Sequence, residues 1–170
     1  MTLREIEFGS DDFRKECELR NEVLRVPIGL CLYDEDLDRE RQQLHFGLFD
    51  QCGDLIACVI AIVSSCSKAK IRQMAVRGEH QGKGYGRRVI HDLEEYLALQ
   101  GVVHLDLHAR LTAVGFYTKL GYAKVGQEFM EVGIPHVGME KYIRPGSTVD
   151  GDKSRAGLPP LGLIKSKGVI

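Results

Sequence analysis

The stretch Gln81-Gly82-Lys83-Gly84-Tyr85-Gly86-Arg87-Arg88 restricts what this chain can fold into more than any other. Its three glycines alternate with other residues. An apolar run from Ile71 to Val76 precedes it, and Val89, Ile90, Leu93, Tyr96 and Leu97 recur behind it with helical period. The pattern reads as strand, tight turn, helix. Such a turn directs unpaired backbone N–H groups and the positive end of a helix dipole at one point, an arrangement suited to a phosphate. Lys83, Arg87 and Arg88 fit that reading, because cations at a helix start are unfavourable unless an anion is present.

Known glycine turns separate on single residues. A triphosphate-binding loop needs G-K followed by Ser or Thr, but Gly84 follows Lys83, so no hydroxyl is placed for magnesium. A dinucleotide fingerprint needs glycine where Arg87 stands, at the close helix–strand contact. That fingerprint usually opens its domain, whereas here at least three strands come first.

Those strands begin with the alternating residues 3–9. A helix capped by Ser10 or Asp11 follows, its apolar side carrying Phe13, Cys17, the stem of Arg20 and Leu24, and Pro27 and Gly29 end it. Residues 44–50 and 55–63 read as an antiparallel hairpin about a turn at 51–54, and 70–77 as the strand feeding the glycine turn. After the long helix, which stops at Gly101, come a strand at 102–108, a short helix at 111–120, a strand at 122–127, a loop at 128–134 and a strand at 135–142. The expectation is a mixed α/β (α+β) sheet of six to seven strands, mostly antiparallel and flanked by helices. The acidic stretch from Asp34 to Glu40 reads either as a solvated face or as a rim that attracts a cationic amine.

The domain is expected to span residues 1–144. Residues 145–170 hold five glycines and three prolines and read as a tail without its own core, with Leu158, Leu161, Leu163 and Ile164 available for a contact. A formal net charge of −1 gives no general attraction to nucleic acid or anionic membranes. No apolar run approaches the roughly 20 residues of a membrane span, and residues 1–5 lack a signal-peptide core, so a cytoplasmic protein is expected. The five cysteines are odd in number and none are spaced C-x-x-C, which argues against a disulfide framework or zinc site, and no metal is expected.

The glycine turn, as Gln81-x-x-Gly84-x-Gly86, resembles the acyl-CoA motif [QR]-x-x-G-x-[GA] of the GNAT (GCN5-related) N-acetyltransferase superfamily. About 30 residues downstream, Arg110-Leu-Thr-Ala113-Val-Gly-Phe116-Tyr117-Thr-Lys-Leu-Gly121-Tyr122 is similar to that family's N-x-x-A-x-x-F-Y-x-K-x-G-F block. Together the two blocks cover roughly residues 55–127. The closing Gly133-Ile134-Pro135-His136-Val137-Gly138-Met139 and the helical Leu19-Arg20-Asn21-Glu22-Val23-Leu24 resemble ElaA-like members and extend the likeness to about 18–142.

The resemblance implies a GNAT fold splayed between its fourth and fifth strands, and acetyl-CoA as cosubstrate. It places the pantetheine arm along Met74, Ala75 and Val76, with Met74 and Val76 as its hydrogen-bonding partners. It places the pyrophosphate on Gln81, Gly82, Lys83, Gly84, Tyr85, Gly86 and Arg87, and further cofactor contacts at Arg110 and Phe116, the latter also a candidate core residue. Tyr117 matches the tyrosine near the thioester sulfur, where a phenol supplies a proton or a hydrogen bond to the departing thiolate. Arg110 stands where the family usually has asparagine, and it can reach either CoA or a carboxylate on the acceptor. Some members place a glutamate base at about Lys70, and a lysine of ordinary pKa is a poor base. Among His136, His108, Glu128 and Glu131, His136 is preferred, because its strand should flank the acceptor cleft and imidazole ordinarily titrates near neutrality.

The implied function is transfer of acetyl from acetyl-CoA to a primary amine, on a small molecule or a peptide, by direct attack in a ternary complex. The alternative is a non-catalytic acyl-CoA-binding regulatory module on the same fold. A homodimer is a possible assembly through exposed sheet edges.

Overall fold

The computed structural model describes residues 1–145. But for its first residue, the tail at 145–170 lies outside the described residues. Seven strands form one sheet in the order β1-β2-β3-β4-β5-β7-β6. They are β1 (Thr2–Ile6), β2 (Leu44–Phe49), β3 (Leu55–Ser65), β4 (Lys68–Val76), β5 (His104–Arg110), β6 (Ala123–Glu131) and β7 (Ile134–Tyr142). Every neighbouring pair is antiparallel except β4 and β5. That parallel pair needs a crossover, and α2 (Tyr85–Leu99) supplies it.

Alternation along the strands fills two cores. Ala57, Val59 and Ala61 of β3 face one side with Val89, Leu93 and Leu97 of α2. Cys58 of β3 and Ala75 of β4 face the other with Phe13, Cys17 and Leu19 of α1 (Asp11–Arg20). Ser10 caps α1 by accepting from the Phe13 N–H at 3.2 Å, and Asp11 and Asp12 occupy its first turn, where carboxylates suit the dipole. Past Arg20 the chain widens into a π-helical turn, Asn21–Arg25, and then a short 3₁₀ turn, Val26–Ile28, that ends at left-handed Gly29.

Two sequence expectations change, and a third narrows to one of its two readings. Arg20 is not buried by its stem alone: the whole side chain is enclosed. Its Nη1 and Nη2 donate to Glu40 at 2.9 and 2.7 Å, and its Nε donates to Gln73 Oε1 at 2.8 Å. Glu16 lies 3.5 Å away and also meets His45 Nδ1 at 3.0 Å. Burial alone would weaken the charge on Arg20, but Glu40 and Glu16 more than offset this and its pKa is raised. Residues 128–131, read as loop, continue β6, and Val132 and Gly133, both at positive φ, make the tight turn into β7. The acidic stretch forms two short 3₁₀ turns and is mostly a solvated face, with Asp34, Glu35, Asp36 and Asp38 exposed; Glu35 pairs with Arg25, Asp36 with Arg39, Asp38 with Arg41, and the buried Glu40 with Arg20.

All five cysteines are free thiols. Burial raises the pKa of Cys17 from 9.0 to about 11 and pushes up that of Cys58 as well. Below pH 9 both thiols are neutral in folded and unfolded chains alike. Above it the unfolded chain ionises and the core resists, so stability is lost as pH climbs toward 11. The thermal midpoint should therefore fall steadily from pH 9 to 11, by an amount worth about 2–3 kcal/mol for Cys17. A flat profile over that range would contradict the burial of these thiols.

Candidate active site

A bulge in β4 opens the sheet. Cys58 pairs with Ala75 and Ile60 with Arg72, so β4 holds one residue more than β3 between those pairs. Gln73 takes up the extra residue at φ 49°, a conformation uncommon outside glycine. The parallel pairing of β4 with β5 ends just before it, at Ile71 and Leu107. β5 continues against β7 as far as Arg110 and His136. Between the diverging strands lies a cavity of about 440 Å³.

Met74, Arg110, Tyr117 and His136 all line this cavity, so the structure gathers residues far apart in sequence. The His136 Nδ1–H donates to the Ile134 carbonyl at 2.9 Å, which fixes the tautomer and leaves Nε2 unprotonated in the neutral ring. Nε2 has no partner among the described residues. Tyr117 packs edge-on to Phe116 and Tyr122, with ring centres 5.0 and 5.7 Å away. Its hydroxyl makes no hydrogen bond among the described residues, and burial raises its pKa to about 12. At neutral pH it is a committed O–H donor.

Lys70, His108 and Glu131 form a chain on the cavity wall that the sequence did not reveal. His108 Nδ1 meets Glu131 Oε2 at 2.6 Å, and Lys70 Nζ meets His108 Nε2 at 2.9 Å. With Nδ1–H given to the carboxylate, the Nε2 lone pair faces the lysine. His108 is thus oriented but occupied, whereas His136 is oriented and free. None of residues 34–40 lines the cavity, so of the two readings of that stretch the rim is not found at its mouth.

The glycine turn lies at the end of β4. Gly84 is the left-handed N-cap of α2, offers no side chain to the first helical N–H groups, and no acid stands in that turn. Gly82 is also at positive φ. Gln81 Nε2 donates to the Val76 carbonyl at 2.9 Å, so Gln81 ties the turn to the strand and already occupies that carbonyl. The Ala75 side chain faces the α1 core, which leaves only its backbone for the gap. Phe116 lies 3.4 Å from where a Cβ on Gly86 would stand and packs against Tyr117, joining turn and phenol. Lys83 and Arg87 are exposed beside the turn. Among the described residues, His91, Asp92 and Glu95 on α2 have metal-ligand types within 4.8 Å of one another, but they do not line the cavity.

The protein is thus a seven-stranded sheet opened beside a glycine turn, with a buried tyrosine at the opening. Residues 31–143 match the family model described as an acetyltransferase (GNAT) domain, and the chain belongs to the GNAT acetyltransferase family. It is 41% identical over 75 residues to the uncharacterised protein YyaT of Bacillus subtilis, covering 44% of this chain and 51% of that protein. The chain spans about half the length of the curated relatives it matches. Its fold is similar to that of Escherichia coli ElaA, with a TM-score of 0.69 and 20% identity over 82% of this chain and 98% of that one. It is also similar to an aminoglycoside 6'-N-acetyltransferase complexed with coenzyme A, with a TM-score of 0.67 and 18% identity over 86% and 99% of the two chains. No helix among the described residues is long and apolar enough to cross a membrane.

Proposed function

We propose that the protein transfers acetyl from acetyl-CoA to a primary amine by direct attack within a ternary complex. The observation that carries this reading is the gap between β4 and β5, which has the uncapped glycine turn at one end and the free Tyr117 hydroxyl inside it. The pyrophosphate sits on the backbone N–H groups of residues 82–87, with Lys83 and Arg87 beside them. The pantetheine arm runs along the unpaired edge of Met74 and Val76 as an added strand, using groups other than the Val76 carbonyl. Phe116 backs the turn, and Arg110 reaches into the same cleft.

His136 Nε2 takes the proton from the acceptor ammonium, directly or through water. The neutral amine attacks the thioester carbonyl and forms the N–C bond, the C–S bond breaks with its electron pair staying on sulfur, and the second proton, shed by the nitrogen as the amide forms, leaves to the thiolate or to water. A phenol held near 12 is a weaker acid than a thiol of ordinary pKa about 8.5. Tyr117 therefore stabilises the departing thiolate by donating a hydrogen bond rather than by losing its proton outright.

Lys70, standing where a glutamate base would be expected, favours a second reading as a non-catalytic acyl-CoA-binding regulatory module. Release of CoA thiol with a panel of amines separates the two. Tyr117→Phe should lower kcat by about 10²-fold, the effect of removing one transition-state donor, with little change in affinity for CoA. Unchanged turnover in that variant would remove Tyr117 from the mechanism. Thermal stabilisation by ATP but not by acetyl-CoA would sink the donor assignment.

A further inference from the structure

The charges in the cleft are unbalanced in one direction. Among the described residues, the arginines without a carboxylate partner within 4.0 Å are Arg72, Arg87, Arg110 and Arg144, because the other arginines all form ion pairs. Arg87 sits at the glycine turn. Arg72 and Arg110 both line the cleft, and so do Arg25 and Lys70. Arg110 Nη2 donates to the Leu24 carbonyl at 2.7 Å, and Arg25 Nη1 approaches that same oxygen at 3.4 Å. Two guanidinium groups thus share one neutral acceptor supplied by the π-helical turn. Arg72 has only a long contact, 3.5 Å, to Gln43. Among the described residues, the one carboxylate lining the cleft, Glu131, is held by His108.

Partial burial, and then the charge of Arg25, lower the pKa of Arg110, so its cation stands in the cleft at a cost. Of the arginines without a carboxylate partner, Arg72 and Arg110 are the ones that line the cleft, where a bound molecule can supply the counter-charge. The donor does not provide one here. Its phosphates belong at the glycine turn, and the pantetheine arm and acetyl thioester are uncharged. An acceptor that is only a cation would be repelled.

We propose that the acceptor is an amine that also carries an anionic group, a carboxylate or a phosphate, and that Arg110 and Arg72 hold that group while the amine faces the thioester. This rests on the acetyl-transfer reading of the same cleft. The fork geometry of guanidinium matches either anion. It also orients the acceptor, because fixing one end of a short molecule limits where its nitrogen can lie.

The test uses the full chain and acceptor pairs that differ only in the anion: an amino acid against its amide, and an amino-sugar phosphate against the free amino sugar. kcat/KM from CoA-thiol release should favour the anionic member of at least one pair by roughly tenfold or more, the effect of one charge-assisted hydrogen bond. Which pair shows the preference distinguishes carboxylate from phosphate. Arg110→Gln and, independently, Arg72→Gln should bring that ratio toward one, and Arg110→Glu should invert it. A preference for neutral or polycationic amines overturns the proposal. So does an equal loss for every acceptor in Arg110→Gln, which would assign that side chain to the thioester oxygen. If acetyl-CoA binds but no amine turns over, the transfer reading fails and the anion site is judged by binding. CoA-loaded protein, its glycine turn filled, should then be thermally stabilised by glutarate or inorganic phosphate, and less so in both glutamine variants. No stabilisation of the wild type would overturn the site as well.

Discussion

Glu40→Ala should lower the thermal midpoint by roughly 10 °C or more, the largest effect expected of any single side-chain truncation outside the apolar cores. Glu40 accepts both terminal nitrogens of Arg20 and a third bond from Gln73 Nε2 at 3.2 Å. Truncation leaves a guanidinium with no solvent contact and only Glu16, 3.5 Å away, as its remaining carboxylate. Removing one partner of a buried pair costs about 3–5 kcal/mol, a large share of the roughly 5–15 kcal/mol that holds a domain together. Glu40→Gln keeps hydrogen bonds but not the charge and should fall between the two. Asp38→Ala, which breaks an exposed pair with Arg41, should change stability by less than about 1 kcal/mol. Thermal melts of the three variants check this, and near-equal midpoints for Glu40→Ala and Asp38→Ala would contradict the burial described.

Gly84→Val should weaken CoA binding by about 10²-fold while leaving the domain folded. Nothing lies within 4 Å of a Cβ built at Gly84, so the substitution meets no collision. The penalty is in the backbone. Gly84 sits at φ 88°, a region that a β-branched residue enters only at substantial cost. Relaxing toward negative φ would turn the first N–H groups of α2 away from one another. Losing one or two charge-assisted bonds, each worth about 1.5–3 kcal/mol, gives that magnitude. The turn from 81 to 84 is exposed and carries no core residue, so the melt should move little. Isothermal titration with CoA measures the effect, and wild-type affinity would refute the pyrophosphate assignment.

The parts legible in the sequence were those with local signatures. The glycine turn declared itself through residue types that only a strained backbone needs. Tyr117 was legible because its block carries fixed spacing to Ala113 and Gly121. The Arg20–Glu40 pair was not, because residues 20 apart meet only when the 3₁₀ turns fold back over α1. The register of β4 against β5 brings Lys70 beside His108, and no spacing in the chain predicts that register. β6 was cut short because it is an edge strand exposed on both faces, so it lacks the alternation that marks a strand. The acidic stretch was legible as a solvated face, and Asp34, Glu35, Asp36 and Asp38 are exposed, but the burial of Glu40 against Arg20 was not.

Gln73 joins the α1 core to the gap between β4 and β5. The same residue that diverts β4 from β5 has its side-chain amide fastened in the core, to Arg20 on one side and Glu40 on the other. The slot between the strands is therefore a property of the resting fold, anchored in the α1 core, and not something a ligand must pry open. On the proposed reading, the pantetheine arm meets amides that have waited unpaired, so binding adds hydrogen bonds without first breaking any between strands. Core and slot share one fastening, and a sequence cannot loosen the first while keeping the second.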